Sequence, residues 1–294
     1  MVDLLHSLKP DDSTDMVTLG AAMRHTVAEV DLDQELARAV DLAEAENVVE
    51  LAVSRQRWYS HQRTCGNLQV SWLWTEHAIA VFAGHDTHLT SAMLTRPGTT
   101  QVELASVEKF FVDLGAMPTI HVPDFDAEAH QLLRSRGYKN VGSTEVVFHS
   151  LDDLPPLSSD TPVELLSSEQ TSAWIESLVF IDDHGPERLE PGNLVAAMKG
   201  AQKFAVLADG QVAGGGSMRL VDDVALLFCD AIAPEYRSRG LHGAVINARL
   251  YAAKSSGVRI ASAFVQLGSV SHRNYLSLGF RRLYRRDTYQ LTTP

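Results

Sequence analysis

The chain of 294 residues contains only two cysteines, Cys65 and Cys229, and they lie far apart in the sequence. Because they form neither a disulfide framework nor a metal-binding spacing, we expect both to be reduced and no metal to be bound. No run approaches 18 apolar residues, which argues against a membrane-spanning helix. The N-terminus lacks a basic segment followed by an apolar stretch, which argues against secretion. These absences predict a cytoplasmic protein without a membrane partner.

Positive charge is also scarce, because 25 lysines and arginines stand against 37 aspartates and glutamates, for a net charge of −12. A general nucleic-acid-binding protein needs a basic surface, so no nucleic-acid partner is expected. An acidic surface would concentrate a cationic amine near a cleft, although many proteins are acidic for solubility alone. The length suits one large domain or two ordinary ones.

A cluster of proline, serine and aspartate at residues 151–160 separates two richly patterned regions. Proline fixes the backbone and removes a hydrogen-bond donor, so we interpret this cluster as a linker. It divides the chain into an N-terminal domain, residues 1–150, and a C-terminal domain, residues 161–294.

Both regions end in the same order of strand, helix, glycine-aromatic pair and strand. Val122 and Gly137 are 15 positions apart, and Val265 and Gly279 are 14 positions apart. Chance can produce this order, but the similar spacing favours an internal duplication.

The most informative segment is AIAPEYRSRGLHGAVI, residues 231–246. An apolar strand, predicted over Val224–Ala233, leads through a short basic turn into an amphipathic helix that begins near Leu241. The first backbone N–H groups of a helix lack internal partners, and the helix dipole favours negative charge there. Gly240 and Gly243 let the backbone approach a phosphate closely. The segment therefore predicts an anion-binding loop.

This segment resembles the phosphate-binding loop of the GNAT superfamily of N-acetyltransferases, which reads Arg/Gln-x-x-Gly-x-Gly/Ala after a strand. Arg237 and Gly240 match this pattern, whereas His242 stands where glycine or alanine is usual. The resemblance implies acetyl-CoA as co-substrate, with its pyrophosphate held by loop amides. The loop and strand residues expected to bind it are Ile232, Ala233, Arg237, Ser238, Arg239, Gly240, Leu241, His242 and Gly243.

In this family the strand before the loop diverges from its parallel neighbour, and its amides then receive the thioester carbonyl and the pantetheine. Here the two strands would be Leu226–Ala233 and Ile260–Gln266. The resemblance implies that Ile232 and Ala233 are the amide donors.

A helix predicted over Ser269–Leu278 carries Tyr275, four residues before a Gly-Phe pair, as GNAT enzymes often do. When an amine attacks the thioester, a thiolate leaves, and a positioned phenol can protonate it. The resemblance implies that Tyr275 is this catalytic acid; the alternative is a tyrosine that only packs between helix and sheet. Ser269 stands where many members have an asparagine that contacts pantetheine. The N-terminal counterpart of Tyr275 is Leu133, which predicts a degenerate first half without its own CoA site.

The sequence does not single out the group that deprotonates the amine. Asp182, Asp183 and His184 lie in a loop that lines the acceptor cleft in this family, and Asp230 lies on the central strand. Each of them is equally explained as a loop residue or a helix cap.

Two other patterns have structural interpretations. Trp72 and Trp74 share one face of a predicted strand and are expected to lie in the core. The basic run RRLYRR, residues 281–286, is expected to form a solvated edge strand that discourages aggregation.

The sequence thus predicts an α+β fold with tandem GNAT-like modules, each a twisted mixed sheet with helices on both faces. The expected activity is transfer of an acetyl group from acetyl-CoA to a primary amine of a small molecule, by direct attack on the thioester. A non-catalytic acyl-CoA sensor is an alternative, as is an O-acyltransferase or a decarboxylase on the same fold. A homodimer is left open.

Overall fold

The computed structural model describes residues 13–61, 68–85, 87–152, 154, 162–167, 171–177 and 190–291, with side chains from residue 34 onward except Pro191. Its helices are α1 (Ser13–His61), α2 (Gln101–Asp113), α3 (Ala127–Ser135), α4 (Thr171–Ser177), α5 (Glu190–Ala197), α6 (Leu241–Ser255) and α7 (Val270–Ser277). Its strands are β1 (Ser71–Trp74), β2 (Ala78–Phe82), β3 (Ser91–Leu94), β4 (Thr119–Pro123), β5 (Tyr138–His149), β6 (Val163–Leu165), β7 (Ala201–Ala208), β8 (Gln211–Val221), β9 (Val224–Ile232), β10 (Ile260–Gln266) and β11 (Arg281–Leu291). Most of the predicted linker, residues 151–160, lies outside the described residues.

The strands form one sheet in the order β1-β2-β3-β4-β11-β5-β10-β9-β8-β7-β6. The last strand of the chain, β11, is inserted into the first half of the sheet, between β4 and β5. On its other side β5, from the first half of the chain, pairs with β10 from the second half. The two halves therefore exchange their final strands and share one continuous sheet.

Helices cover both faces of this sheet. On one face, Ile246 of α6 and Tyr275 of α7 pack against β10, and α2 and α3 pack against the strands of the first half. On the opposite face, Val40 of α1 packs against β9 and β11, and α4 and α5 lie beside α1. Among the described residues, no helix is both long enough and apolar enough to cross a membrane.

The repeated order expected from the sequence is present in the structure. In the first half β3, α2, β4, α3 and β5 follow one another, and in the second half β9, α6, β10, α7 and β11 do so. In both halves the first two of these strands are parallel neighbours. In both halves the third strand pairs with strands of the other half, which is how the exchange arises.

The predicted mixed-sheet fold is confirmed, although some elements differ from the prediction. α1 runs from Ser13 to His61, a stretch that no proline interrupts. β3 and α2 were not predicted. The start of α2 does have a local signal, because Thr100 and Glu103 form a capping box there.

Two structural interpretations of the sequence are wrong. Trp72 and Trp74 are 47% and 44% exposed, because β1 is an edge strand and its Leu73 packs against the core instead. The run at residues 281–286 is not a solvated edge, since β11 lies inside the sheet and its Tyr284 and Arg286 are buried.

Candidate functional site

The parallel strands β9 and β10 separate toward their C-terminal ends. They pair only as far as Leu227 and Ala263, although β9 continues to Ile232 and β10 to Gln266. On its other side β9 stays paired with β8 up to Ile232. The predicted divergence is therefore confirmed, and a gap opens between the two strands.

A β-bulge shapes β9 beside this gap. The pairing of β8 with β9 shifts by one residue, so that Cys229 and Asp230 together lie opposite Gly216. Cys229 has a φ of +54°, in the left-handed region that residues with a side chain seldom adopt. Such a bulge adds a residue to one strand and redirects its side chains. Here it directs Asp230 toward α6, where it meets Arg249.

A cavity of about 670 Å³ lies at the end of β9 and is bordered by the following loop, α6 and α7. We call it the donor cavity. Its volume is in the range of small-molecule binding sites. It is lined by Asp230, Ala231, Ile232, Tyr236, Arg237, Ser238, Gly240, Leu241, His242, Gly243, Val270, Ser271, Asn274, Ser277 and Leu278.

The first turn of α6 presents backbone N–H groups at the wall of this cavity. Gly240 is the N-cap residue and has a φ of +76°, a conformation that glycine adopts without steric cost. The N–H groups of Leu241, His242 and Gly243 follow it in the first turn, where helical N–H groups have no acceptor within the helix. Because these residues line the cavity, the positive end of the helix dipole is directed into it.

Seven of the residues expected to bind the cofactor line the donor cavity, and three do not. The seven are Ile232, Arg237, Ser238, Gly240, Leu241, His242 and Gly243. The exception in the strand is Ala233, whose N–H donates to the Ala213 carbonyl at 2.9 Å and so is used in the pairing with β8. Since donors alternate in direction along a strand, the neighbouring Ile232 N–H faces the gap instead.

Arg239 and Ser269 do not line the donor cavity and make other contacts. Arg239 points to the surface, where its Nη1 lies 3.1 Å from Asp209 Oδ2. Ser269 is the N-cap of α7, and its hydroxyl accepts the His272 N–H at 3.0 Å. The amide that reaches the donor cavity from α7 is Asn274. Its approach could not be inferred from sequence spacing, because Asn274 and Ser269 lie on different faces of the helix.

A buried network joins Asp230 to Arg249 and Tyr275. Arg249 Nη1 lies 2.5 Å from Asp230 Oδ1, and the Tyr275 hydroxyl donates to Asp230 Oδ2 at 2.5 Å. Burial would raise the pKa of Asp230, but Arg249, and then His242, outweigh it and hold the pKa well below its usual range. Burial and the adjacent Asp230 carboxylate raise the pKa of Tyr275 well above its usual value.

His242 turns inward and completes this network. Its Nε2 lies 3.3 Å from Asp230 Oδ2, and its Nδ1 lies 2.8 Å from Asn274 Nδ2. Because the amide of Asn274 donates to Nδ1, the proton of the ring is assigned to Nε2, which donates to Asp230. The imidazole at the position usually held by glycine or alanine therefore supports the wall of the cavity and leaves the backbone amides accessible.

The surroundings of the predicted catalytic residues bear on their roles. Tyr275 is buried and does not line the donor cavity, whereas its acceptor Asp230 does. A carboxylate with so low a pKa is a weak base, which disfavours Asp230 as the group that deprotonates the amine. Asp182, Asp183 and His184 lie outside the described residues.

Sequence reasoning missed Arg249 and Gly216, which the network requires. Arg249 follows Val245 by four positions on the apolar face of α6, and a lone arginine on such a face signals a buried partner. Gly216 belongs to three consecutive glycines in β8, and a Cβ there would lie 2.6 Å from Asp230 Oδ1. Consecutive glycines inside a strand signal such a close approach.

A GNAT fold has diverging parallel strands, a glycine-capped loop and a helix whose N-terminus faces a cavity. Solved structures with that fold are similar to this protein. A GCN5-related N-acetyltransferase from Kribbella flavida is 14% identical and covers 83% of this chain and 96% of its own, with a TM-score of 0.56. A GCN5-related N-acetyltransferase from Sphaerobacter thermophilus is 13% identical and covers 81% of this chain and 85% of its own, with a TM-score of 0.51. A functionally unknown conserved protein from Staphylococcus epidermidis is 12% identical and covers 77% of this chain and 96% of its own, with a TM-score of 0.56.

This protein therefore has the fold of the GNAT superfamily. No protein-family model and no curated protein matches its sequence. At 12–14% identity, the likeness to the solved structures establishes the fold alone.

Proposed function

We propose that this protein is an acyl-CoA-dependent N-acyltransferase that transfers an acetyl group from acetyl-CoA to a small primary amine. The observation that carries the proposal is the donor cavity, which extends from residues 230–232, where β9 no longer pairs with β10, to the N-terminus of α6. An elongated molecule with an acyl thioester at one end and phosphates farther along matches that arrangement.

The phosphates would lie at the first turn of α6. Their negative charge is stabilised there by the N–H groups of Leu241, His242 and Gly243. Arg237 stabilises the loop, because its Nε donates to the Ile232 carbonyl at 3.0 Å and ties the loop to the end of β9. Gly243 has room for a larger residue, since a Cβ there would meet only Leu278 of α7, at an ordinary contact distance of 3.9 Å.

The thioester would lie at the gap, where the Ile232 N–H faces away from β8. A hydrogen bond from this N–H to the thioester oxygen would polarise the carbonyl and stabilise the charge that develops on it. The amine nitrogen then bonds to the carbonyl carbon, the carbon–sulfur bond breaks, and the thiolate of CoA leaves with a proton.

Isothermal titration calorimetry of the full chain with CoA and acetyl-CoA tests donor binding, and mass spectrometry with a panel of amines tests turnover. We expect saturable binding of both compounds and a gain of one acetyl group on an amine. Binding without any product would identify an acyl-CoA sensor, and an acetylated hydroxyl would identify an O-acyltransferase. The absence of any CoA binding would refute the proposal.

The variant Gly243→Asp tests where the phosphates bind. An aspartate at the third position of α6 suits the helix dipole, so folding should be unaffected. The same carboxylate would repel the phosphates, and we expect CoA affinity to fall at least tenfold. Gly142→Asp is the matched control, because Gly142 is exposed on β5 and a Cβ there has no neighbour within 4 Å. Equal CoA affinity of the two variants would contradict this site.

A further inference from the structure

A second cavity, of about 220 Å³, lies beneath α1 on the face of the sheet opposite α6 and α7. We call it the α1 cavity. Its walls combine apolar side chains, such as Val48, Ile79 and Phe264, with the polar residues Glu44, His88, His121 and Arg286. A small cavity of mixed character suits a compact molecule with one charged end.

β10 lies between the α1 cavity and the helices α6 and α7 that border the donor cavity. Ala263 and Val265 pack toward α6 and α7, whereas Phe264 between them faces α1 and lines the α1 cavity. Phe264 is also the first residue of β10 beyond its pairing with β9. Thr144, another lining residue, pairs with the last residue of β10. The α1 cavity therefore flanks the gap from the face opposite the donor cavity.

Arg286, a residue that lines the α1 cavity, has one donor without a partner among the described residues. Arg286 is buried, and its Nη2 donates to Asp41 Oδ1 at 2.6 Å and to the Tyr284 hydroxyl at 2.9 Å. Tyr284 in turn donates to Asp41. The Nε of Arg286 is buried as well, and no described residue accepts its hydrogen. A hydrogen-bond acceptor on a bound molecule would satisfy it.

Glu44 is the unbalanced charge in the same cavity. Arg286 already compensates Asp41, with which it forms an ion pair at 2.6 Å. Among the described residues, none makes a hydrogen bond or an ion pair with Glu44. A carboxylate held this way, in a partly buried cavity, is stabilised by a cation placed beside it.

We propose that the α1 cavity binds the amine substrate that receives the acetyl group. This substrate is a compact primary amine that also carries a hydrogen-bond acceptor. Glu44 binds its ammonium group, and Arg286 Nε donates a hydrogen bond to its acceptor atom. This inference rests on the proposed N-acyltransferase function. It adds the acceptor site, the chemical class of acceptor and the group that takes up its proton.

Proton transfer to Glu44 makes the amine a nucleophile. The ammonium gives one proton to the Glu44 carboxylate, and the nitrogen lone pair then forms a bond with the thioester carbon. The carbon–sulfur bond breaks with its electron pair on sulfur, and the second proton of the amine passes to the thiolate. The products are an amide, CoA and protonated Glu44, which releases its proton to water.

The ionisation of Glu44 sets the expected pH dependence. Burial raises its pKa to about 7; Arg286 opposes this shift and Asp41 adds to it. The other titratable or charged groups that line the cavity are His88, His121 and Arg286. Burial, followed by Arg286 and His88, lowers the pKa of His121 to about 4, so it is neutral near pH 7. The rate at low amine concentration should therefore rise as pH increases through about 7.

The test compares Glu44→Gln with Glu46→Gln, a change at an exposed residue of the same helix. The probes are linear amino alcohols of two to six carbons, with the corresponding diols as compounds that lack the amine. Calorimetry measures their binding to the full chain without acetyl-CoA, and steady-state kinetics gives kcat and KM. Glu44→Gln should weaken amino alcohol binding at least tenfold, raise KM and remove the rise of the rate near pH 7. CoA affinity should be unchanged.

A second variant tests the size of the cavity without changing its charge. Val48→Phe narrows the α1 cavity, and it should raise KM for the longest amino alcohol more than for the shortest. Equal amine affinity and KM in Glu44→Gln and Glu46→Gln would overturn the inference, as would acetylation of amines by a protein that binds no amino alcohol. Failure of the proposed function is a separate result, because it shows as loss of CoA binding or of product with every amine.

Discussion

At the scale of single residues, Asp230 connects side chains of α6 and α7 that belong to separate sequence motifs. It accepts hydrogen bonds from Arg249, Tyr275 and His242, and it lies at the wall of the donor cavity. Loss of the tyrosine proton would place a second negative charge 2.5 Å from this carboxylate, which the surroundings oppose. The contacts of Tyr275 therefore favour a positioning role, in which its hydroxyl holds α7 against the end of β9 beside the gap.

Tyr275→Phe distinguishes this positioning role from the predicted acid role. Phenylalanine fills the same space and removes only the hydroxyl, which donates to Asp230 and accepts from Arg249 Nη2 at 3.4 Å. We therefore expect CoA affinity to persist and kcat to fall less than tenfold. A general acid would contribute about 10²–10⁴ in rate, and a loss of that size in kcat alone would restore the acid role. Tyr289→Phe is the control, because Tyr289 is buried far along β11 and its hydroxyl lies 2.9 Å from His130 Nδ1.

At the scale of the elements, the β-bulge of β9 depends on the glycines of β8. A methyl group at position 216 would lie 2.6 Å from Asp230 Oδ1 and 2.8 Å from Arg249 Nη1, so the ion pair would have to move. We expect Gly216→Ala to destabilise the protein by about 1–3 kcal/mol, as overpacking of a core does. Urea unfolding measures this change.

Gly142→Ala provides the comparison for that measurement, since it adds a methyl group to a strand glycine with no neighbour within 4 Å. Its stability should lie within about 0.5 kcal/mol of the original protein, as for ordinary surface changes. If both variants unfold at the same urea concentration, close packing at Gly216 does not hold the ion pair in place.

Local patterns predicted most elements of the site but not the directions of their groups. The apolar run of β9, the helical spacing of α6 and the glycine at position 240 are local features, and the elements that they predicted border one cavity in the structure. Whether the N–H of Ala233 or that of Ile232 faces the gap depends on the register with β8, which a single strand does not encode. Arg249 and Asp230 likewise meet only because the bulge redirects one of them.

At the scale of the whole molecule, the exchange of β5 and β11 could not be predicted from the sequence. The alternation that predicts a strand at residues 281–286 is the same at an edge and in the middle of a sheet. The partners of β11 are β4 and β5, which lie more than 130 residues earlier in the chain. Such non-local pairing shows only in the folded molecule, and it also explains why Arg286 reaches the α1 cavity from the far end of the sequence.

The exchange makes each half of the chain dependent on the other. Without residues 1–150, β10 would lose its neighbour β5, and β11 would lose both β4 and β5. Contacts across the halves would also be lost, such as those of His272 and Arg282 with Glu145. We therefore expect fragments 1–150 and 151–294 to copurify as a one-to-one complex when expressed together. That complex should bind CoA as the intact chain does.

Expressed alone, fragment 151–294 should unfold at a lower temperature and bind CoA more weakly than the complex. Its β10 would present an open edge in place of the pairing with β5, and open edges promote association between chains. Thermal unfolding and calorimetry on the fragment, the complex and the intact chain measure the difference. If the fragment alone matched the intact chain in both, β11 would be able to replace β5 beside β10, and the first half would serve only the α1 cavity.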